Sequence, residues 1–258
     1  MANIPTPRHG ILIVTLPGQG ATGTLFSHYF DPKAKHGKVR DALAHWFNLW
    51  GVSVGHSANF ATELEKNTAE VVWCDDVPEH LHGPQTVRFY AQCGERVLQS
   101  IETQSPSVII VLSAYLYEAM ASDFMSEKVT TLIGKALGPA RRITNMRLKA
   151  LEQKFEKAHM LVLPTPSKNT TDAFVTTLTA PIRDALTAAG FSLDESPETL
   201  TDMAKSLLVV DEKTTLQTWE NRLRIDSERA RSLWNTLVKE GVISTPDERG
   251  RYFVKKKS

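Results

Sequence analysis

Apolar and polar positions alternate along this chain in two registers. Residues 11–16, Ile11 to Leu16, form an apolar run, interrupted only by Thr15, of the kind a strand shows when a sheet buries it on both faces. Val39, Leu43, Trp46, Phe47 and Trp50 then recur at helical spacing, and Gly51 supplies a stop, so a helix is predicted over 39–50. A second short strand is predicted over 70–74, leading into the acidic pair Asp75 and Asp76. A long helix follows over 87–104 through Phe89, Cys93, Val97, Leu98 and Ile101. Val108 to Leu112 reads as a third strand, 115–125 as a helix, 138–157 as a basic helical stretch, 160–163 as a fourth strand and 172–189 as a closing helix ending at Gly190. Strands that alternate with helices imply an α/β fold with a mainly parallel sheet between two helical layers.

The polar, Pro-containing segment 192–198 has the character of a linker and suggests two domains, 1–192 and 199–258. After it, 215–225 and 227–240 read as two helices with Asp226 placed to cap the second. A turn at 245–250 and a strand over 251–254 complete helix, turn, helix, hairpin, the order of a small C-terminal winged helix. Leu216, Gln217, Leu223, Ile225, Arg229, Ala230, Leu233, Leu237, Gly241 and Val242 fit the spacing of winged-helix domains. Residues 201–258 carry 12 Lys and Arg against 9 Asp and Glu, and Arg229 and Arg231 lie on the second helix. Such a domain binds DNA or another protein; Glu228 and Glu240 dilute the charge on the DNA side of that choice.

At 258 residues, 41% apolar and 23% charged, the chain can bury a sizeable core. Its net charge of +1 excludes no partner, because a binding face needs only local charge. Cys74 and Cys93 are its two cysteines. With no apolar leader and no run of about 18 apolar residues, this usage predicts a reduced, cytoplasmic setting with no membrane contact. The cations Arg141, Arg142, Arg147, Lys149, Lys154 and Lys157 read either as a solvated helix face or as phosphate contacts.

Two segments carry the candidate chemistry. Residues 11–23 run from an apolar strand into a Gly-rich loop with Gly18, Gln19, Gly20 and Gly23, and 161–169 run from a strand into Pro164, Thr165, Pro166, Ser167, Lys168 and Asn169. Loops in that position are where an α/β sheet builds its ligand site. Gly18 to Gly23 also satisfies G-x-G-x-x-G, but Pro32 and Gly37 interrupt the helix that a dinucleotide site requires next. Gly55 to Ala58 with the first loop shares short motifs with malonyl-type acyltransferases, although no apolar strand precedes Ser57 to form a nucleophile elbow.

The first loop with Phe26, the stretch from Val71 to Met120 with Ser113 at a glycine position, and Thr165, Pro166, Ser167 and Asn169 together resemble the uracil-DNA glycosylase superfamily over residues 10 to 190. The resemblance implies a three-layer α/β/α domain that flips a base out of DNA and leaves an abasic site, with DNA as partner and no cofactor. It implies roles in base recognition for Gly18, Gly20, Phe26, Phe30 and Glu70, and contact with DNA for Thr165, Ser167, Lys168 and Asn169, joined by Arg229 and Arg231 of the second domain. Catalytic candidates are Gln19, Asp31 and Asp75, since cleavage through an oxocarbenium-like sugar needs a carboxylate and an activated water.

Several positions depart from the superfamily pattern. Gln19 and Gly20 stand where many members carry an acid, and Thr165 stands where most carry His, so ordinary uracil is not the expected base. Glu70 matches an Asn that reads the uracil edge; an ionised carboxylate only accepts hydrogen bonds and suits the exocyclic amine of a cytosine derivative, while the alternative is a solvated strand-edge acid. A modified base of phage DNA would make the protein a defence enzyme, and the rival expectation is a non-catalytic DNA-binding protein. Some relatives hold an iron–sulfur cluster with four cysteines; Cys74 and Cys93 supply at most half of that set, and no metal site is expected.

Overall fold

The computed structural model describes residues 10–17, 38–52, 54, 63–167, 169–191, 193, 201, 204–205, 208, 213–223, 227–245 and 252–253. The elements run β1 (Ile11–Thr15), α1 (Lys38–Leu49), α2 (Glu63–Lys66), β2 (Thr68–Val72), α3 (Pro84–Gln92), α4 (Glu95–Gln104), β3 (Val108–Val111), α5 (Ala114–Met120) and α6 (Ser126–Ile133). There follow β4 (Arg141–Arg142), β5 (Leu151–Lys154), β6 (His159–Val162), α7 (Asp172–Thr176), α8 (Thr179–Ala188), β7 (Lys213–Thr214), α9 (Leu216–Leu223), α10 (Ser227–Lys239) and β8 (Tyr252–Phe253). The fold is α/β. Two compact units divide the chain: Met1–Ala44, Val54–Thr170 and Ala185–Ser192 form one, and His45–Ser53, Thr171–Asp184 and Leu193–Ser258 the other.

The first unit is built on a six-stranded sheet of order β2-β1-β3-β6-β5-β4. The strands β2, β1, β3 and β6 are parallel, as their continuous apolar runs predict, and β5 and β4 extend the sheet in antiparallel steps. Every residue of β1, β2 and β3 is buried. On one face Leu12, Val14, Ala69, Val71, Ile109, Val111, Met160 and Val162 pack with Tyr90, Val97, Leu98, Ile101, Leu116, Met120, Val129 and Ile133 from α3 to α6. Burying each large side chain of that set stabilises the fold by about 1.5–3 kcal/mol. Trp73 adds a polar anchor, its indole N–H donating to the Tyr90 carbonyl at 2.9 Å.

The helix expected over 87–104 is two helices. Cys93 closes α3 by donating its backbone N–H to the carbonyls of Phe89 and Tyr90, and α4 starts after Gly94. A Cβ on Gly94 would lie 2.3 Å from the Met125 methyl carbon and 3.3 Å from the Trp73 ring, so the break falls where the backbone must pass close beneath both. The apolar pattern does not anticipate α6. The basic stretch 138–157 is not a helix but the hairpin of β4 and β5, because β5 pairs along its whole length with β6 and the ladder overrides local helical spacing. The helix expected over 172–189 is likewise interrupted between α7 and α8, with Thr171 capping α7 by accepting from the Phe174 N–H.

In the second unit, Arg183 of α8 is buried and donates to the carbonyls of Trp50 and Gly51, both at 3.2 Å, satisfying orphan acceptors at the end of α1. The other core of this unit gathers Ala204, Leu208, Trp219, Ala230, Leu233, Trp234, Leu237 and Ile243, with the Trp219 and Trp234 rings 4.8 Å apart. The buried positions of α10 recur at 230, 233, 234 and 237, one stripe of a helix whose Arg229, Arg231, Asn235 and Lys239 are exposed. β8 returns to pair antiparallel with β7, which precedes α9. Asp226 and the turn at 246–250 lie outside the described residues. Among the described residues no helix is long and apolar enough to cross a membrane.

Candidate functional site at the carboxyl edge of the sheet

The strand order reverses direction at β1, with β2 on one side and β3 on the other. In an open parallel sheet the crevice beyond the carboxyl ends at such a switch point is the ligand site. Here the four parallel strands end nearly level: Trp73 N–H donates to Thr15 O at 3.0 Å, Leu112 N–H to Val14 O at 2.9 Å and Leu163 N–H to Val111 O at 2.9 Å. The loops that begin at Leu16, Trp73, Leu112 and Leu163 therefore leave the sheet along one edge. Two of them are tied together, since the Thr165 hydroxyl donates to the Leu112 carbonyl at 2.8 Å.

Thr165 is thus a half-buried threonine whose hydroxyl proton is committed to a backbone acceptor. Beyond it, the Ser167 N–H donates to the Thr170 hydroxyl at 2.7 Å and the Asn169 N–H to the Ser167 hydroxyl at 3.2 Å, folding the loop onto itself. Ser167 and Asn169 are exposed there. Ser113 is occupied locally, its side chain accepting from the Tyr115 N–H at 3.2 Å to cap α5.

Glu70 lies in the middle of β2 and is 2% exposed, so it is not a solvated edge acid. One carboxylate oxygen takes a guanidinium N–H of Arg40, from α1, at 3.0 Å, and the other accepts the Thr15 hydroxyl at 3.2 Å. Both oxygens are engaged, and the carboxylate is closed off from solvent. Thr15 is the last residue of β1, so the Arg40–Glu70 pair braces the root of the first loop from within the sheet. Neither Arg40 nor Thr15 is nominated by the sequence pattern, although an Arg three positions before Leu43 on the apolar side of α1 is a signal that a buried partner, an acid or a set of backbone carbonyls, must meet it.

Asp75, in the loop after β2, is exposed and held by Arg96 in a two-bond pair at 2.9 and 2.9 Å. The guanidinium hydrogen bonds keep its carboxyl below the ordinary carboxylate range. An ionised carboxylate in that grip can stabilise a cation but is a poor proton donor. The Cys74 thiol beside it is pushed up to about 11, by burial first and then by Cys93, so it is protonated at neutral pH and not a nucleophile. Gln19 and Asp31, with Gly18, Gly20, Phe26, Phe30 and Lys168, lie outside the described residues.

Separate from these residues, a cavity of about 200 Å³ is lined by Tyr117, Met120, Val129, Gln153, Phe155 and Met160, with Tyr117 donating to the Gln153 side-chain oxygen at 2.9 Å. None of the residues nominated from sequence lines it. No family model and no curated protein matches the chain, so its assignment rests on the geometry of this edge and the chemistry of its residues.

Proposed function

We propose that this protein is a DNA N-glycosylase of the uracil-DNA glycosylase type, which extrudes one nucleotide into the carboxyl-edge crevice and cleaves its N-glycosidic bond to leave an abasic site. The observation that carries the reading is the Thr165 to Leu112 hydrogen bond at the carboxyl edge beside the switch point, which joins two of the loops that bear glycosylase-like motifs. In this reading the helices form a layer on each side of the sheet, and α9, α10 and the β7–β8 pair are a winged helix that adds duplex affinity through Arg229 and Arg231.

Cleavage would pass charge onto an oxocarbenium-like sugar while water adds to the anomeric carbon and the base departs with the glycosidic electron pair. With Asp75 held by Arg96, the positioning of water falls to Gln19 of the first loop or to Asp31. Thr165 in place of His offers less stabilisation to a departing uracil anion, so the substrate is an unusual base, with cytosine derivatives the first class to test. If that base is a modification of phage DNA, the role is defence.

A second reading, a non-catalytic DNA-binding protein on the same fold, draws on one observation: Glu70 and Asp75 are both bound by arginines. Anisotropy titrations with duplexes that contain or lack a stable abasic-site analogue separate the two. An enzyme holds the extruded, base-free sugar and binds the analogue duplex at least about tenfold tighter; equal affinity for both duplexes favours the non-catalytic protein.

A further inference from the structure

The β4–β5 hairpin concentrates positive charge. Residues 135–157 hold seven Lys and Arg against two Asp and Glu, in a chain whose net charge is +1. Part of this has an ordinary explanation. Arg141 and Arg142 lie on the edge strand of the sheet, where cations discourage pairing with other chains, and Arg141 is bonded to the buried Glu152. Arg147 and Lys149 are not on the strand. They sit in the connecting segment, exposed, and neither is ion-paired among the described residues.

The register fixes which end of the sheet that segment occupies. Leu151 pairs with Val162 and Arg142 with Leu151, so residues 143–150 turn at the end where β6 runs into Thr165. The turn is held: Ile143 N–H donates to Ala150 O at 3.0 Å, Met146 N–H to the Thr144 hydroxyl at 3.1 Å, and the Arg142 guanidinium bonds the Met146 carbonyl. β4 is two strands from β6, about 10 Å at the usual spacing of strands. Along a DNA strand, with one phosphate per ~3.4 Å of axis, that is roughly three nucleotides.

We infer that the hairpin tip, through Arg147 and Lys149, is a phosphate-binding arm that grips duplex DNA about three nucleotides from the contact made by the Thr165 loop. The inference rests on the DNA-acting reading above and adds to it a contact surface that reads no sequence. Each phosphate neutralised contributes about 0.9 to the slope of log K against log salt. Removing both cations of the tip therefore lowers the slope by about 1.8, so the penalty of an R147A/K149A variant shrinks about 12-fold between 50 and 200 mM salt.

The test is fluorescence-anisotropy titration of the full chain with a duplex of about 20 base pairs at several salt concentrations, for the wild type, R147A/K149A and the charge-conserving R147K/K149R, each checked for an unchanged thermal melt. The expected result is weaker binding and a shallower slope for R147A/K149A, equal across duplex sequences, with R147K/K149R close to wild type. Wild-type affinity and slope in R147A/K149A overturn the arm while leaving the DNA-acting reading intact. Loss of binding in R147K/K149R as well overturns it in favour of a structural role for the tip. Absence of wild-type binding to any duplex overturns both, and preference for single-stranded RNA over duplex overturns the choice of partner.

Discussion

Changing Glu70 to Gln removes one negative charge from the interior while leaving the side-chain shape almost unchanged. The site is nearly sealed, with side-chain exposures of 1% for Glu70 and 7% for Arg40 and a 3.0 Å contact between them. Two charges brought out of water are stable only together, and removing one partner of such a pair costs about 3–5 kcal/mol because the other remains buried. Gln still offers one acceptor, so the loss is of charge rather than packing. For a chain of this size each kcal/mol lowers the melting temperature by about 2–4 °C, which gives a shift of roughly 6–20 °C. The assay is thermal denaturation followed by circular dichroism. Arg40→Met with Glu70→Leu, which removes both charges, should melt above Glu70→Gln, and the double-mutant cycle should show coupling. A Glu70→Gln protein that melts within about 1 °C of the parent, yet loses binding or cleavage of one class of base, would refute the bracing role and return Glu70 to base recognition.

Further consequences follow from neighbouring contacts. Gly10→Ala would put a Cβ 1.9 Å from the Asn67 carbonyl oxygen at the start of β1, so the backbone must shift; a cost of about 1–3 kcal/mol should appear as a lowered urea midpoint. Arg183→Ala strands the Trp50 and Gly51 carbonyls and should cost about 2–4 kcal/mol by the same measure, with little effect on DNA affinity. Alkylation of Cys74, mapped by mass spectrometry, should keep accelerating up to about pH 11 in the native protein but level near pH 9 once unfolded. The native thiol is the one that keeps its proton, so this group's contribution to stability is full below pH 9 and declines as pH rises from 9 to 11.

The parallel strands are legible because burial on both faces leaves long apolar runs, and β1, β2, β3 and β6 match the sequence reading to within two residues at each end. What the sequence hides is contextual. The hairpin at 138–157 looks helical in isolation, since Ile143, Met146 and Ala150 have helical spacing, and only pairing with β6 turns it into strands. Gly94 marks its break through contact with Met125 and Trp73, partners that are distant in sequence. At the site, the strand ends reveal where the loops begin but not what holds the acids: Arg40 is 30 residues from Glu70 and Arg96 is 21 from Asp75, separations that no local pattern encodes.

The central claim, excision of a base at the carboxyl edge, is tested most directly by incubating the purified protein with separate duplex pools containing cytosine, uracil, methylcytosine, hydroxymethylcytosine and glucosylated hydroxymethylcytosine. Released base is measured by mass spectrometry and abasic sites by alkaline cleavage. The account predicts release from one modified pool, with abasic sites in equal amount and little or none from uracil. Release from no pool, with duplex binding intact, would contradict it.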